Sequence, residues 1–321
     1  MVGVNGRLTA SVRKTITTHR LGSVVLLGDQ GDSVDELAAT TAELAGLVAA
    51  VPVVTAVDQE GGLVQRLAGP GFTTIPNANQ QAKLSDARLR ASAQQWGSEL
   101  NAAGVRWNLA PVADVVPAAK RKTNQPVGAL RRGYGSDPTV VAQKTQAVID
   151  GLAAAGVATS VKHFPGLGEV VGNTDFASGI VDSVTRADSA SLAPFRAAVE
   201  ADVASVMISS ARYAKIDPAN QAVFSATVIG LLRDWGYEGV VISDDLGAAA
   251  SVRKIPAGQR AVKFIAAGGD VVIDADPSLV PAMTKALLAK AAKEPAFAAR
   301  VTESAARVLA LKQDLGVFRC G

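Results

Sequence analysis

A single (β/α)8 barrel is the fold class this sequence predicts, and three observations carry it. Eight short apolar runs lie at 1–4, 23–27, 53–57, 105–109, 157–161, 204–208, 240–243 and 270–274, most of them separated by segments of helical periodicity. The runs are continuous instead of alternating, as in parallel strands covered on both faces. A chain of 321 residues with 48% hydrophobic content matches eight such units around one core, so residues 1–321 read as one barrel domain. An open doubly wound sheet is the competing architecture, but no G-x-G-x-x-G follows any run.

Taken in order, the run at 1–4 has no helix or cap before it, and the run at 23–27 leads into an Ala/Leu-rich helical stretch from 35 to about 50. The third run ends in Asp58-Gln59-Glu60-Gly61-Gly62, and a long helical pattern covers 84–103. The fourth passes into Ala110-Pro111-Val112-Ala113-Asp114. The irregular connection 115–136 that follows is long enough to be functional. Asp137-Pro138 reads as a helix start, with periodicity to about 155. The fifth run delivers Lys162 and His163 side by side and breaks at Phe164-Pro165-Gly166, before a glycine-rich loop that reaches Asp175. Helical patterns at 192–200, 225–235 and 257–267 precede the last three runs, and 277–311 reads as helical to its end.

The strand ends collect polar residues: Asp58 and Glu60, Asp114, Lys162 and His163, Ser209 and Ser210, Asp244 and Asp245, Asp274 and Asp276. Taken singly, each is an ordinary cap or loop residue. Their recurrence at strand after strand points to the C-terminal face of a barrel, where such folds carry their sites. A carboxylate held at such a site needs a cation or donors nearby to stay ionised, a role open to Lys162 and Arg132, and a carboxylate such as Asp58 can accept two hydroxyl groups at once. Asp245 reads as a cap of the following helix.

Composition excludes several other classes. The 32 basic residues against 29 acidic ones leave a formal charge of +3, with no basic run that would hold nucleic acid; Lys120-Arg121-Lys122 is the densest patch. No apolar stretch approaches the roughly 20 residues of a membrane span, and no signal peptide opens the chain, so as written it reads as cytoplasmic. The abrupt start and the single cysteine, Cys320, point instead to a shortened chain with an exported parent. With no His/Cys cluster, no metal and no cofactor is expected. The oligomeric state is left open.

Five blocks, DQEGG-x-VQRL (58–67), NLAPVADV (108–115), RGYGSDP (132–138), KHFPG (162–166) and G-VVISDDL (239–246), resemble glycoside hydrolase family 3, in its single-barrel β-N-acetylhexosaminidase branch. The resemblance implies a retaining mechanism through a covalent glycosyl-aspartate, with Asp244 as nucleophile. Asp58, Arg132, Lys162 and His163 match the positions that hold sugar hydroxyls. In that family residues 1–4 fall inside a barrel strand preceded by an N-terminal helix. The expected substrate is an oligosaccharide with terminal N-acetylglucosamine, of the cell-wall or chitin type.

The chain departs from the branch where proton transfer is expected. Members carry Asp-Ser-His on the loop after KHFPG; this chain carries Asn173-Thr174-Asp175, and its two histidines are His19 and His163. Leu167 and Ser210 also stand where histidines are usual. Two readings stay open. In one, Asp175 is the acid/base on a mobile loop, desolvated by Phe176, with Glu169 as a weaker candidate. In the other, the barrel binds sugar with little or no turnover.

Overall fold

The computed structural model describes residues 1–49 and 51–318. Cys320 and Ala50, where periodicity places the end of the second helix, lie outside them. Eight parallel strands follow one another round a single sheet: β1 (Val2–Asn5), β2 (Ser23–Leu27), β3 (Val54–Val57), β4 (Trp107–Asn108), β5 (Ala158–Phe164), β6 (Ser205–Ile208), β7 (Val240–Asp245) and β8 (Val271–Ile273). A parallel bridge from Val2 to Asp274 closes it. Gly3 N donates to the Asp274 carbonyl at 2.9 Å and Asp274 N donates to the Met1 carbonyl at 3.0 Å. The predicted barrel is therefore the observed fold.

Inside the barrel, Val25, Ala56, Trp107, Met207, Ile242 and Ile273 fill the axis as one buried cluster. The Trp107 indole N–H reaches the hydroxyls of Ser160 and Ser205 at 2.9 and 3.0 Å, so a polar pair sits satisfied in an apolar layer. Outside, the helices pack against the opposite faces of the same strands, which is why the strand sequences read as unbroken apolar runs.

Four elements differ from the sequence pattern, each for a local reason. Helix α1 (Ala10–His19) carries no strong apolar stripe and buries only Ile16; it forms behind an N-cap in which the Thr9 side chain accepts from Val12 N. Helix α2 (Val34–Gly46) opens on a capping box between Ser33 and Glu36 and ends at Gly46, short of the expected limit. The β4 ladder is two residues long, because the run continues into a cis Ala110–Pro111 bond and proline has no N–H to pair. The final helical stretch divides into a 3-10 turn (Pro277–Leu279) and helices Val280–Ala291 and Pro295–Asp314, with Pro295 starting the last.

The connection 115–136 is packed, not loose. Asn124, fully buried, donates to the carbonyls of Leu167 at 2.6 Å and Val170 at 2.8 Å, while its own carbonyl accepts Gly128 N at 2.8 Å. This clamps the loop bearing Arg132 onto the loop that follows β5. No helix among the described residues is long and apolar enough to cross a membrane.

Candidate active site

The barrel register breaks in two places, between Val161 and Phe164 against β6 and between Ile242 and Asp245 against β8. Those are the strand ends that present Lys162, His163 and Asp244. β5 runs through these residues to Phe164, three beyond the end its apolar run suggests. The Phe164 ring packs edge-on against Phe195 at 5.4 Å and Trp235 at 5.6 Å, anchoring the strand end to the helical layer. The Lys162–His163 and Phe164–Pro165 peptides are both cis.

Asp58, Arg132, Lys162, His163, Asp175 and Asp244 all line one cleft of about 330 Å³ at the C-terminal face. Its floor is a buried charge network. Lys162, 2% exposed, donates to Asp58 Oδ1 at 2.5 Å and lies 2.6 Å from Glu60 Oε1. Arg132 grips Glu60 with two parallel bonds, at 2.9 Å from Nε and 2.7 Å from Nη2, and donates to the Pro126 carbonyl at 2.7 Å. Burial opposes ionisation of Glu60, but Arg132 and Lys162 outweigh it and hold the carboxyl well below the usual carboxylate range. Burial likewise opposes the charge on Lys162, and Asp58 and Glu60 reverse the effect, so its pKa is raised.

Glu60 lies among the strand-end residues, yet nothing in the sequence singles it out as the keystone of two cations. Glu60→Gln would leave Lys162 and Arg132 short of a counter-charge in a buried place. We expect it to lower stability by about 3–5 kcal/mol, the usual cost of breaking a buried pair from one side. The depressed folded pKa places this stabilisation above Glu60's unfolded value, and it is lost as pH falls toward the folded one. Denaturant titrations of both proteins at pH 7 and pH 4 test this, because the gap should narrow at the lower pH; a variant as stable as the parent at pH 7 would refute it.

Asp114, fully buried, orients the histidine. Its Oδ2 lies 2.8 Å from His163 Nδ1, and its Oδ1 accepts the backbone N–H groups of His163 at 3.1 Å and Leu167 at 2.8 Å. This leaves His163 Nε2 3.5 Å from Arg132 Nη2. Arg66 was not singled out by its residue type or position, but it also lines the cleft, and its buried Nε has no partner among the described residues. Gln59 sets the turn before it, accepting Arg66 N and Leu67 N at 3.0 Å each.

On the opposite side, Asp244 accepts the Asp245 N–H at 2.9 Å and lies 3.5 Å from the Ser210 hydroxyl. Burial first, and then the negative charge of Asp175, raise its pKa to about 6. Asp245 accepts the N–H groups of Gly247, Ala248, Ala249 and Ala275 at 2.8–3.0 Å, so it holds a turn and does not cap the following helix, which begins only at Ala257. Asp274 is buried, with Oδ1 accepting Asp276 N, and is not among the cleft residues.

The loop after β5 corrects two expectations. Glu169 pairs with Lys120 at 2.5 Å and is not among the residues that line the cleft. Phe176 is 84% exposed and gives Asp175 no cover. The loop itself is anchored: Asp175 N donates to Asn173 Oδ1 at 2.9 Å, and the carbonyls of Thr174 and Asp175 accept Ser251 N and Ala250 N at 3.1 and 3.0 Å. In this structure Asp175 is held at the cleft, and the expected mobility has no support in its contacts.

Comparison with known proteins gives a consistent pattern. The model described as the glycosyl hydrolase family 3 N-terminal domain matches residues 1–311. A curated β-hexosaminidase from Alkalilimnicola ehrlichii is 35% identical over 299 residues, covering 89% of this chain and 83% of that protein. The crystal structure of a β-N-acetylhexosaminidase from Beutenbergia cavernae superposes with a TM-score of 0.96 at 44% identity, over 98% of this chain and 96% of that one. A family 3 β-N-acetylglucosaminidase from a Paenibacillus species matches all of this chain and 62% of its own, with a TM-score of 0.90 at 32% identity.

Proposed function

The chain belongs to glycoside hydrolase family 3, and from that premise we propose that it is a retaining, exo-acting β-N-acetylglucosaminidase. It releases terminal N-acetylglucosamine from cell-wall or chitin-type glycans, with residues 1–321 serving as one catalytic barrel domain. The observation that carries this reading is that Asp175 and Asp244 line the same cleft, with Asp175 close enough to raise the pKa of buried Asp244.

In the first step Asp244 attacks the anomeric carbon, the glycosidic bond breaks, and Asp175 gives its proton to the departing oxygen. In the second, Asp175 takes a proton from water, whose oxygen displaces Asp244 and restores both carboxyl groups. Asp58, Lys162, His163 and Arg132 grip the hydroxyls of the sugar in the cleft. Their mutual ion pairs fix them before the sugar arrives, so little ordering remains to be done on binding. Arg66 lines the same cleft.

Release of N-acetylglucosamine from its p-nitrophenyl β-glycoside and from chitobiose tests the activity; failure on both refutes it. The pH profile tests the nucleophile. A carboxyl with a pKa raised to about 6 is protonated below that value and cannot attack. On the p-nitrophenyl glycoside, whose leaving group needs no proton, we expect kcat/KM to climb about tenfold per unit up to roughly pH 6 and then level, since that ratio reports groups of the free enzyme. A profile flat between pH 4 and 7 would refute the assignment.

A further inference from the structure

The cleft is polar at its floor and apolar at its mouth. Val64, Leu130 and Phe176 line the outer wall, while the ion pairs of Lys162 and Arg132 lie beneath. Phe176 is the most exposed of the large apolar side chains in the described structure, at 84%. A lone exposed phenyl ordinarily calls for no explanation. This one is held in place. The turn that bears it is closed by Phe176 N and Ala177 N, donating to the Asn173 carbonyl at 3.2 and 2.9 Å, and Asn173 is itself buried.

Its position in the sequence then fixes what it meets. A proton from Asp175 must reach the oxygen that joins the terminal sugar to its leaving group, so the first ring of that group lies on the Asp175 side of the cleft, beside residue 176. A β-linked hexopyranose with equatorial hydroxyls has C–H faces that are apolar and flat, a match for an uncovered phenyl ring. Burying both surfaces is favourable in proportion to the area removed from water.

We propose that Phe176, flanked by Val64 and Leu130, is the binding site for the first ring of the leaving group, and that it selects a pyranose over a chain-like or small aglycone. This deepens the hydrolase reading and rests on Asp175 as acid for the ring's placement.

The test compares chitobiose with methyl N-acetyl-β-glucosaminide, which share the terminal sugar and differ in whether a ring follows it. In Phe176→Ala the ratio of kcat/KM for chitobiose to that for the methyl glycoside should fall about tenfold, the worth of covering roughly 50 Å² of apolar surface, and the loss should sit in KM. Phe176→Trp should restore it. A second arm measures binding without turnover. In an Asp244→Asn background, the preference for chitobiose over free N-acetylglucosamine should shrink by the same factor when Phe176 is removed. An unchanged preference in either arm, or equal losses on both substrates, would overturn the proposal. Should the parent protein bind chitobiose preferentially through Phe176 yet turn nothing over, the hydrolase reading falls and the ring site stands.

Discussion

Asp244→Asn should lower kcat on p-nitrophenyl N-acetyl-β-glucosaminide by more than about 10⁴-fold while changing sugar affinity only a few-fold. An amide has the shape of the carboxylate and keeps an oxygen for the Asp245 N–H, so the cleft is preserved while the covalent step is deleted. Effects of this size are typical where a covalent nucleophile is removed from an otherwise complete site. Folding supplies a control. Burial and the nearby Asp175 raise the Asp244 pKa to about 6, so above that pH the native state bears the cost of an ionised buried carboxylate. Removing the charge should therefore leave Tm at pH 7.5 unchanged or higher. Near-parental turnover in a folded variant would move the nucleophile elsewhere, and Asp245 is a poor alternative because four backbone N–H groups already occupy it.

The barrel was legible because parallel strands buried on both faces leave an unambiguous local mark, and all eight runs became strands. The limits of legibility lie where stabilisation comes from far along the chain. Lys162 looks like the end of a strand, yet it is 2% exposed inside one, since Asp58, 104 residues away in sequence, supplies the counter-charge. The pairing of Glu60 with Arg132 spans 72 residues and follows from no local pattern. Helix α1 escaped notice for the opposite reason. Its Thr-rich sequence has weak helical propensity, and one buried isoleucine with a threonine cap suffices once the barrel is there to pack on. Glu169, the weaker candidate in the sequence, is removed from the site by its pairing with Lys120, 49 residues away.

The same nonlocality makes the role of Asp175 the most informative question to put to the protein. Its neighbours Asn173 and Thr174 hold the turn, and the 250–251 backbone holds the turn in place, so a carboxylate stands at the cleft where the family resemblance implies a histidine. In the sugar-free protein Phe176, itself 84% exposed, gives it no cover. Any cover for its carboxyl must therefore come from the bound sugar itself. Asp175→Ala should then cut kcat on chitobiose by about 10²–10⁴-fold, the usual worth of general acid/base help. The aryl glycoside, whose leaving group departs without a proton, should form the glycosyl-enzyme at close to the parental rate and then stall, for want of a base to activate water. Azide needs no base. It should raise steady-state turnover of the aryl substrate in the variant and yield the β-glycosyl azide, while leaving the parent unaffected. Equal losses in the rate of glycosyl-enzyme formation from both substrates, or none from either, would reduce Asp175 to a loop residue; a chitobiose-selective loss in that step without azide rescue would leave it an acid but not the base.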